Sequence, residues 1–205
     1  MSNLEMVEYL KQQGYLKSKQ VERAMLAIDR ANFTKFPYED RPQPVARGQT
    51  ISAPSVVAFM LEHLDVRPGM KVLEIGTGSG YNTALLSYLA GEGRVISFEF
   101  YDEVFQVARK NLKKFRNVEI HLGDGSIGYE KEAPYDRIIV TAAMPSLEQD
   151  HPLLMQLKED GKMVAPVGSR HYQDIVVFDN SEKTCMKVLP VMFVPLRGKH
   201  GFTSI

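Results

Sequence analysis

Apolar residues near the start of the chain recur at helical spacing. Leu4, Val7 and Leu10 share one face, and Val21, Met25 and Ile28 share another that begins after Ser18, a candidate N-cap. Helices this short are not stable alone in water, so both are expected to pack on the rest of the chain. Residues 33–48 hold Pro37, Pro42 and Pro44 without periodicity and read as an irregular arm. From Thr50 the pattern becomes regular. Pro54 suits a first helical turn, and Val56, Val57, Met60, Leu61 and Leu64 follow at helical spacing. Strands are predicted over 70–75, 94–98, 118–122, 137–141, 163–167, 174–178 and 187–194. Helices are predicted over 82–90 and 103–115, and around Leu153, Leu154 and Leu157.

Strand alternating with helix implies an α/β fold, a doubly wound, mostly parallel sheet with helices on both faces. The run Ile138-Ile139-Val140 suits a strand buried on both sides. With 205 residues, the chain is expected to form one structural unit, a helical N-terminal arm over 1–50 packed on a main domain over 51–205.

Charge narrows the functional classes. Lys plus Arg number 25 and Asp plus Glu number 25, which argues against a protein that grips nucleic acid by its phosphates. No apolar run is long enough to span a membrane, and residues 1–15 have neither a basic nor an apolar signal region. A single cysteine, Cys185, and five scattered histidines give no disulfide and no metal-ligand spacing. The expectation is a metal-free, cytoplasmic monomer that binds neither membrane nor nucleic acid.

The chemistry concentrates at strand ends. Val72-Leu73-Glu74-Ile75 runs into Gly76-Thr77-Gly78-Ser79-Gly80-Tyr81 and then a helix. Glycines belong where the backbone turns sharply and a ligand approaches closely, and the helix behind offers unpaired N–H groups. Tyr81 stands where a dinucleotide fingerprint would have its third glycine. A literal Gly-x-Gly-x-x-Gly does occur at Gly123, Gly125 and Gly128, but Pro134 and a strand follow it instead of a helix. Glu99 ends the second strand about twenty residues beyond the loop, placed to accept from ribose hydroxyls. Asp124 ends the third, placed to accept from an adenine amino group, with the Gly125 N–H beside it. These ends converge where open α/β sheets bind ligands.

The glycine loop with Glu74 before it resembles the first motif of S-adenosylmethionine-dependent methyltransferases. A closer resemblance, to protein-L-isoaspartate O-methyltransferases, rests on six segments. They are Gly48-Gln49-Thr50-Ile51-Ser52-Ala53-Pro54, Leu73 to Tyr81, Gly123-Asp124-Gly125 with Gly128, Ala133 to Ala143, Pro166-Val167-Gly168, and Phe193-Val194-Pro195-Leu196. Ser55, Phe100 and Pro145-Ser146-Leu147 depart from the usual family residues.

The resemblance implies a Rossmann-like methyltransferase of protein repair. It would transfer a methyl group from S-adenosylmethionine, leaving S-adenosylhomocysteine, to the α-carboxylate of L-isoaspartyl residues in damaged proteins and peptides. It implies a catalytic Ser52. Cofactor-binding residues would be Thr50, Ile51, Gly76, Thr77, Gly78, Ser79, Gly80, Glu99, Phe100, Asp124, Gly125 and Thr141. Ser52 also stands two residues before Pro54, where a helix cap would stand. Two other readings share the glycine loop: an RNA methyltransferase of the same superfamily and a non-catalytic cofactor-binding module.

Overall fold

A computed structural model describes residues 1–203. The chain opens with α1 (Asn3–Gln12) and α2 (Lys19–Ala27), capped by Ser2 and Ser18. In α1 the Ser2 and Glu5 side chains cap each other's backbone. The buried face of α1 is Met6, Val7 and Leu10; Leu4, expected there, is exposed. A short ladder pairs β1 (Gln43–Pro44) with β2 (Thr50–Ile51), and α3 (Pro54–Leu64) follows.

The main sheet contains β3 (Lys71–Ile75), β4 (Arg94–Glu99), β5 (Val118–Leu122), β6 (Tyr135–Val140), β7 (Leu157–Gly168), β8 (Gln173–Asp179) and β9 (Thr184–Val191). Between them lie α4 (Tyr81–Ala90), α5 (Asp102–Asn111) and the short α6 (Pro152–Met155). Strand order is β5-β4-β3-β6-β7-β8-β9. The first five of these pair in parallel, whereas β8 and β9 are antiparallel, so the sheet is mostly parallel. The chain winds outward from β3 through β4 to β5, then crosses to β6 on the other side of β3. The carboxyl ends of β3 and β6 therefore flank a topological switch point, where such sheets form their crevice.

The predicted helix reaching Leu157 is corrected. Only α6 is helical, and Leu157 instead begins the twelve-residue β7. The pairing of β6 with β7 jumps from Tyr135↔Leu157 to Arg137↔Lys162, an irregularity that absorbs the polar residues between them. The predicted 103–115 helix stops at Asn111, and the last strand lies at Thr184–Val191 instead of 187–194.

Ile138, Ile139 and Val140 are fully buried, as expected for a central parallel strand. One core cluster joins Val7, Leu10, Val21 and Met25 of the first two helices to Leu61 of α3 and Leu85 of α4. Each such burial stabilises by about 1.5–3 kcal/mol, which short helices lack in isolation. No helix among the described residues is long and apolar enough to cross a membrane.

Candidate active site

A crevice of about 880 Å³, counting its open mouth, runs along the carboxyl edge of the sheet. Its walls come from six places in the chain. Gln49, Thr50, Ile51 and Ser52 supply one wall, and Gly76 to Ser79 supply another. Glu99, Phe100 and Tyr101 follow from the end of β4, with Gly123 and Gly125 beyond β5. Thr141, Ala142 and the segment Val194 to Arg197 complete it.

The glycine loop is held from three sides. The N–H groups of Gly76 and Thr77 both donate to the Phe98 carbonyl, at 2.8 and 3.1 Å. The Thr141 hydroxyl donates to the Gly76 carbonyl at 2.6 Å. Asn111 of α5 donates its side-chain amide to the Ser79 carbonyl at 2.9 Å. Gly78 has φ +58°, and a Cβ built there would meet nothing within 4 Å, so the loop backbone stands bare toward the crevice. α4 starts immediately behind without a side-chain cap, leaving its positive end beside the crevice.

Beneath the loop, Glu74 is fully buried. Its carboxylate accepts from the Asn82 amide at 2.8 Å, the Thr83 hydroxyl at 2.5 Å and the Ser97 hydroxyl at 2.6 Å. Thr77 joins the network through Ser97 at 2.7 Å. Burial pushes the Glu74 carboxyl up to about 7; the three donors oppose that shift and the Glu99 charge adds to it. The network ties β3, β4 and the first turn of α4 together under the loop.

Glu99 lines the crevice while also serving the backbone. One oxygen accepts from Gly78 N–H at 2.9 Å, and the other accepts from Phe100 and Tyr101 N–H at 2.9 and 3.1 Å. Phe100 is exposed at the mouth. Ser52 lies between β2 and α3, outside both. It is no cap: the N-cap of α3 is Ala53, and the first-turn N–H of Ser55 donates to the Asp40 carboxylate instead.

Two expected cofactor residues do not line the crevice. Gly80 faces α5 instead, where an added Cβ would come within 2.9 Å of Leu112, so its glycine serves packing. Asp124 turns its oxygens to the Ser126 and Lys199 N–H groups, each at 2.8 Å, and so anchors the C-terminal segment. The later Gly-x-Gly-x-x-Gly holds only a single 3₁₀ turn, Gly125–Ile127, with no α-helix behind it. Sequence reasoning missed Tyr101 and Arg197 as lining residues. Tyr101 had a signal, standing two residues beyond a strand-end acid; Arg197 had none, because only the folded chain returns it to this edge.

Among the described lining residues there is no histidine, cysteine or lysine. The crevice can hold a ligand against bare backbone, accept from hydroxyls through Glu99, and donate from Ser52. The carboxylate among those residues, Glu99, already accepts from three backbone N–H groups.

The comparisons with known proteins agree with this arrangement. The sequence profile of the Protein-L-isoaspartate(D-aspartate) O-methyltransferase family matches residues 1–201. A protein-L-isoaspartate O-methyltransferase of Methanopyrus kandleri is 47% identical over 96% of this chain and 92% of its own. Protein-L-isoaspartate O-methyltransferase 2 of Archaeoglobus fulgidus is 47% identical over 98% of this chain and 94% of its own. A Plasmodium falciparum protein-L-isoaspartate O-methyltransferase, crystallised with S-adenosyl-L-homocysteine, superposes with a TM-score of 0.88. Its sequence is 26% identical, and the match covers 96% of this chain and 99% of the other.

Proposed function

The chain belongs to the protein-L-isoaspartate(D-aspartate) O-methyltransferase family, and from that premise we propose how its residues divide the work of methyl transfer. It is an S-adenosylmethionine-dependent enzyme of protein repair, and its acceptor is the α-carboxylate of L-isoaspartyl residues in damaged proteins and peptides. When bound, S-adenosylmethionine supplies a methyl group already activated on its sulfonium.

The residues present fit that cofactor. The open space over Gly78 admits a ligand directly against backbone, and the Glu99 carboxylate lines the same crevice. In this reading Gly76, Thr77, Gly78 and Ser79 cradle the amino-acid end, with Thr141 fixing the loop behind them. Glu99 takes the ribose, Phe100 and Gly125 border the base, and Thr50 and Ile51 close the opposite wall. Gly80 supports the loop by packing, and Asp124 acts through the segment that carries Arg197.

The acceptor α-carboxyl has an ordinary pKa of about 3.5 and arrives ionised at neutral pH. It needs no base. The protein must exclude water, align the carboxylate and hold it by hydrogen bonds. Ser52 donates its hydroxyl to that carboxylate and orients one oxygen for in-line attack. The observation that carries this reading is that Ser52 and the glycine loop line one crevice whose described lining residues include no histidine, cysteine or lysine. The balanced charge and single cysteine support a cytoplasmic protein that binds no nucleic acid, and a crevice complete within one chain supports a monomer. Residues 1–50 then act as an arm that delivers Thr50 and its neighbours to the body.

The test is radiolabelled methyl transfer to an isoaspartyl peptide beside its aspartyl twin. Label is expected in the isoaspartyl peptide alone. S-adenosylhomocysteine binding without label in either peptide would mark a binding module, and label in RNA instead would mark a nucleic-acid enzyme.

A further inference from the structure

Ser52 lies in a connecting segment, so neither strand pairing nor helical bonding sets its orientation. Two charged side chains of the N-terminal arm grip this segment instead. The Arg30 Nη2 donates to the Ser52 carbonyl at 2.7 Å, and the Asp40 carboxylate accepts from the Ser55 N–H at 2.9 Å. Arg30 follows α2 in a 3₁₀ turn, Arg30–Asn32, whose N-cap Asp29 receives the Ala31 N–H and the Tyr38 hydroxyl, both at 2.9 Å. The start of the Arg30 side chain is therefore anchored as firmly as its end.

Arg30 is wholly buried. Its guanidinium lies 5.0 Å from the centre of the Tyr81 ring, and Tyr81, first residue of α4, also lines the crevice. One side chain thus spans the segment carrying Ser52 and the helix behind the glycine loop. Among the described residues, Nε and Nη1 have no hydrogen-bond partner. Burial pushes the guanidinium down to about 10, with Tyr81 and Asp40 opposing the shift, so it stays cationic at neutral pH. A cation buried this deeply with one protein acceptor is poor value for stability, and an apolar side chain of similar volume would avoid the desolvation cost. What the charge secures is one carbonyl, and that carbonyl belongs to Ser52.

We propose that Arg30 is a positioning residue for methyl transfer: with its guanidinium over the Tyr81 ring and its Nη2 on the Ser52 carbonyl, it fixes where the Ser52 hydroxyl stands. The inference rests on the proposed role of Ser52.

The test places Arg30→Met and Arg30→Gln in the native chain and in a Ser52→Ala chain. S-adenosylhomocysteine stoichiometry counts folded sites, and kcat, KM for an isoaspartyl peptide and S-adenosylhomocysteine affinity are measured per site. In the native chain, kcat per site is expected to fall about tenfold or more, as when a bond to a charged group is lost. S-adenosylhomocysteine affinity should change by less than about twofold. Arg30→Lys should recover part of the rate, since an ammonium can still donate to the carbonyl. In the Ser52→Ala chain, the same Arg30 changes should cost less than about twofold, because the hydroxyl they misplace is gone. Full kcat per site in the folded Arg30 variants would overturn the assignment. So would losses that multiply with that of Ser52→Ala, or failure of both variants to bind S-adenosylhomocysteine. A full-rate Ser52→Ala chain with native Arg30 would instead overturn the role of Ser52 itself.

Discussion

The Glu99 carboxylate accepts the Gly78 N–H at 2.9 Å, so the acid at the end of β4 and the middle of the glycine loop form one unit. Glu99 therefore shapes the loop as well as lining the crevice. Its other oxygen holds the turn into α5 through Phe100 and Tyr101. A carboxylate can accept from roughly four directions, which leaves room for a ribose hydroxyl beside three backbone donors.

Glu99→Ala should weaken S-adenosylhomocysteine binding by about ten- to a hundredfold, the size of one hydrogen bond to a charged group. Glu99→Gln should not rescue it. An amide has one accepting end, and its NH₂ would oppose either Gly78 N–H or the Phe100–Tyr101 pair. Calorimetry measures both variants; native affinity in either would remove Glu99 from the ribose site.

The loop glycines should separate by what they affect. At Gly78, φ +58° with open space predicts that Gly78→Ala folds, losing about 1–2 kcal/mol to the left-handed backbone, while the new methyl obstructs the cofactor. At Gly80, the clash with Leu112 adds to the positive φ, so Gly80→Ala should lose more stability. Thermal melts with and without S-adenosylhomocysteine read the difference. The ligand should raise Tm in the Gly80 variant and hardly move it in the Gly78 variant. A Gly78 variant stabilised by ligand as strongly as the native chain would contradict this division.

Glu74 predicts an unusual pH dependence of stability. Its folded pKa of about 7 lies above the ordinary 4.5, so between those values the folded chain holds a proton that the unfolded chain has released. That stabilisation is complete below about pH 4.5 and is lost as pH rises through about 7. The full shift amounts to something on the order of 3 kcal/mol. Glu74→Gln cannot titrate, so its stability relative to the native chain should rise between about pH 5 and 8. Denaturant melts across that range test it; parallel curves for the two chains would mean that Glu74 does not change charge there.

The crevice was legible because its chemistry sits at strand ends. Glu99 and the Gly76-to-Gly80 loop follow apolar strands whose periods fix where each strand stops. Roles that depend on return paths were not legible. Gly80 looks like its neighbours in sequence, and only the packing of α5 distinguishes it. Asp124 was read as facing the ligand because it ends a strand, but its own turn takes one oxygen through the Ser126 N–H and the returning C-terminal segment takes the other through the Lys199 N–H. Leu157 fits a helical spacing with Leu153 and Leu154, yet pairing with Tyr135 across the sheet outweighs that local pattern. Arg30 gave no signal, since its partner lies on a connecting segment that only the packed arm brings close.

The central claim is that Ser52 holds an already ionised carboxylate for methyl transfer without a base. Ser52→Ala should lower kcat on an isoaspartyl peptide by about ten- to a hundredfold, while S-adenosylhomocysteine affinity stays near native. Neither protein should show a histidine-like titration of kcat between about pH 6 and 8, because there is no histidine among the described lining residues and serine does not ionise there. The deciding measurement is the pH–rate profile of both proteins on that peptide. The account predicts two parallel profiles separated by the Ser52 deficit, both flat in a Glu74→Gln background, where the carboxyl placed near 7 beneath the loop cannot titrate. A full-rate Ser52→Ala enzyme, or a shared ionisation near pH 6.5 governing kcat that persists in that background, would contradict it.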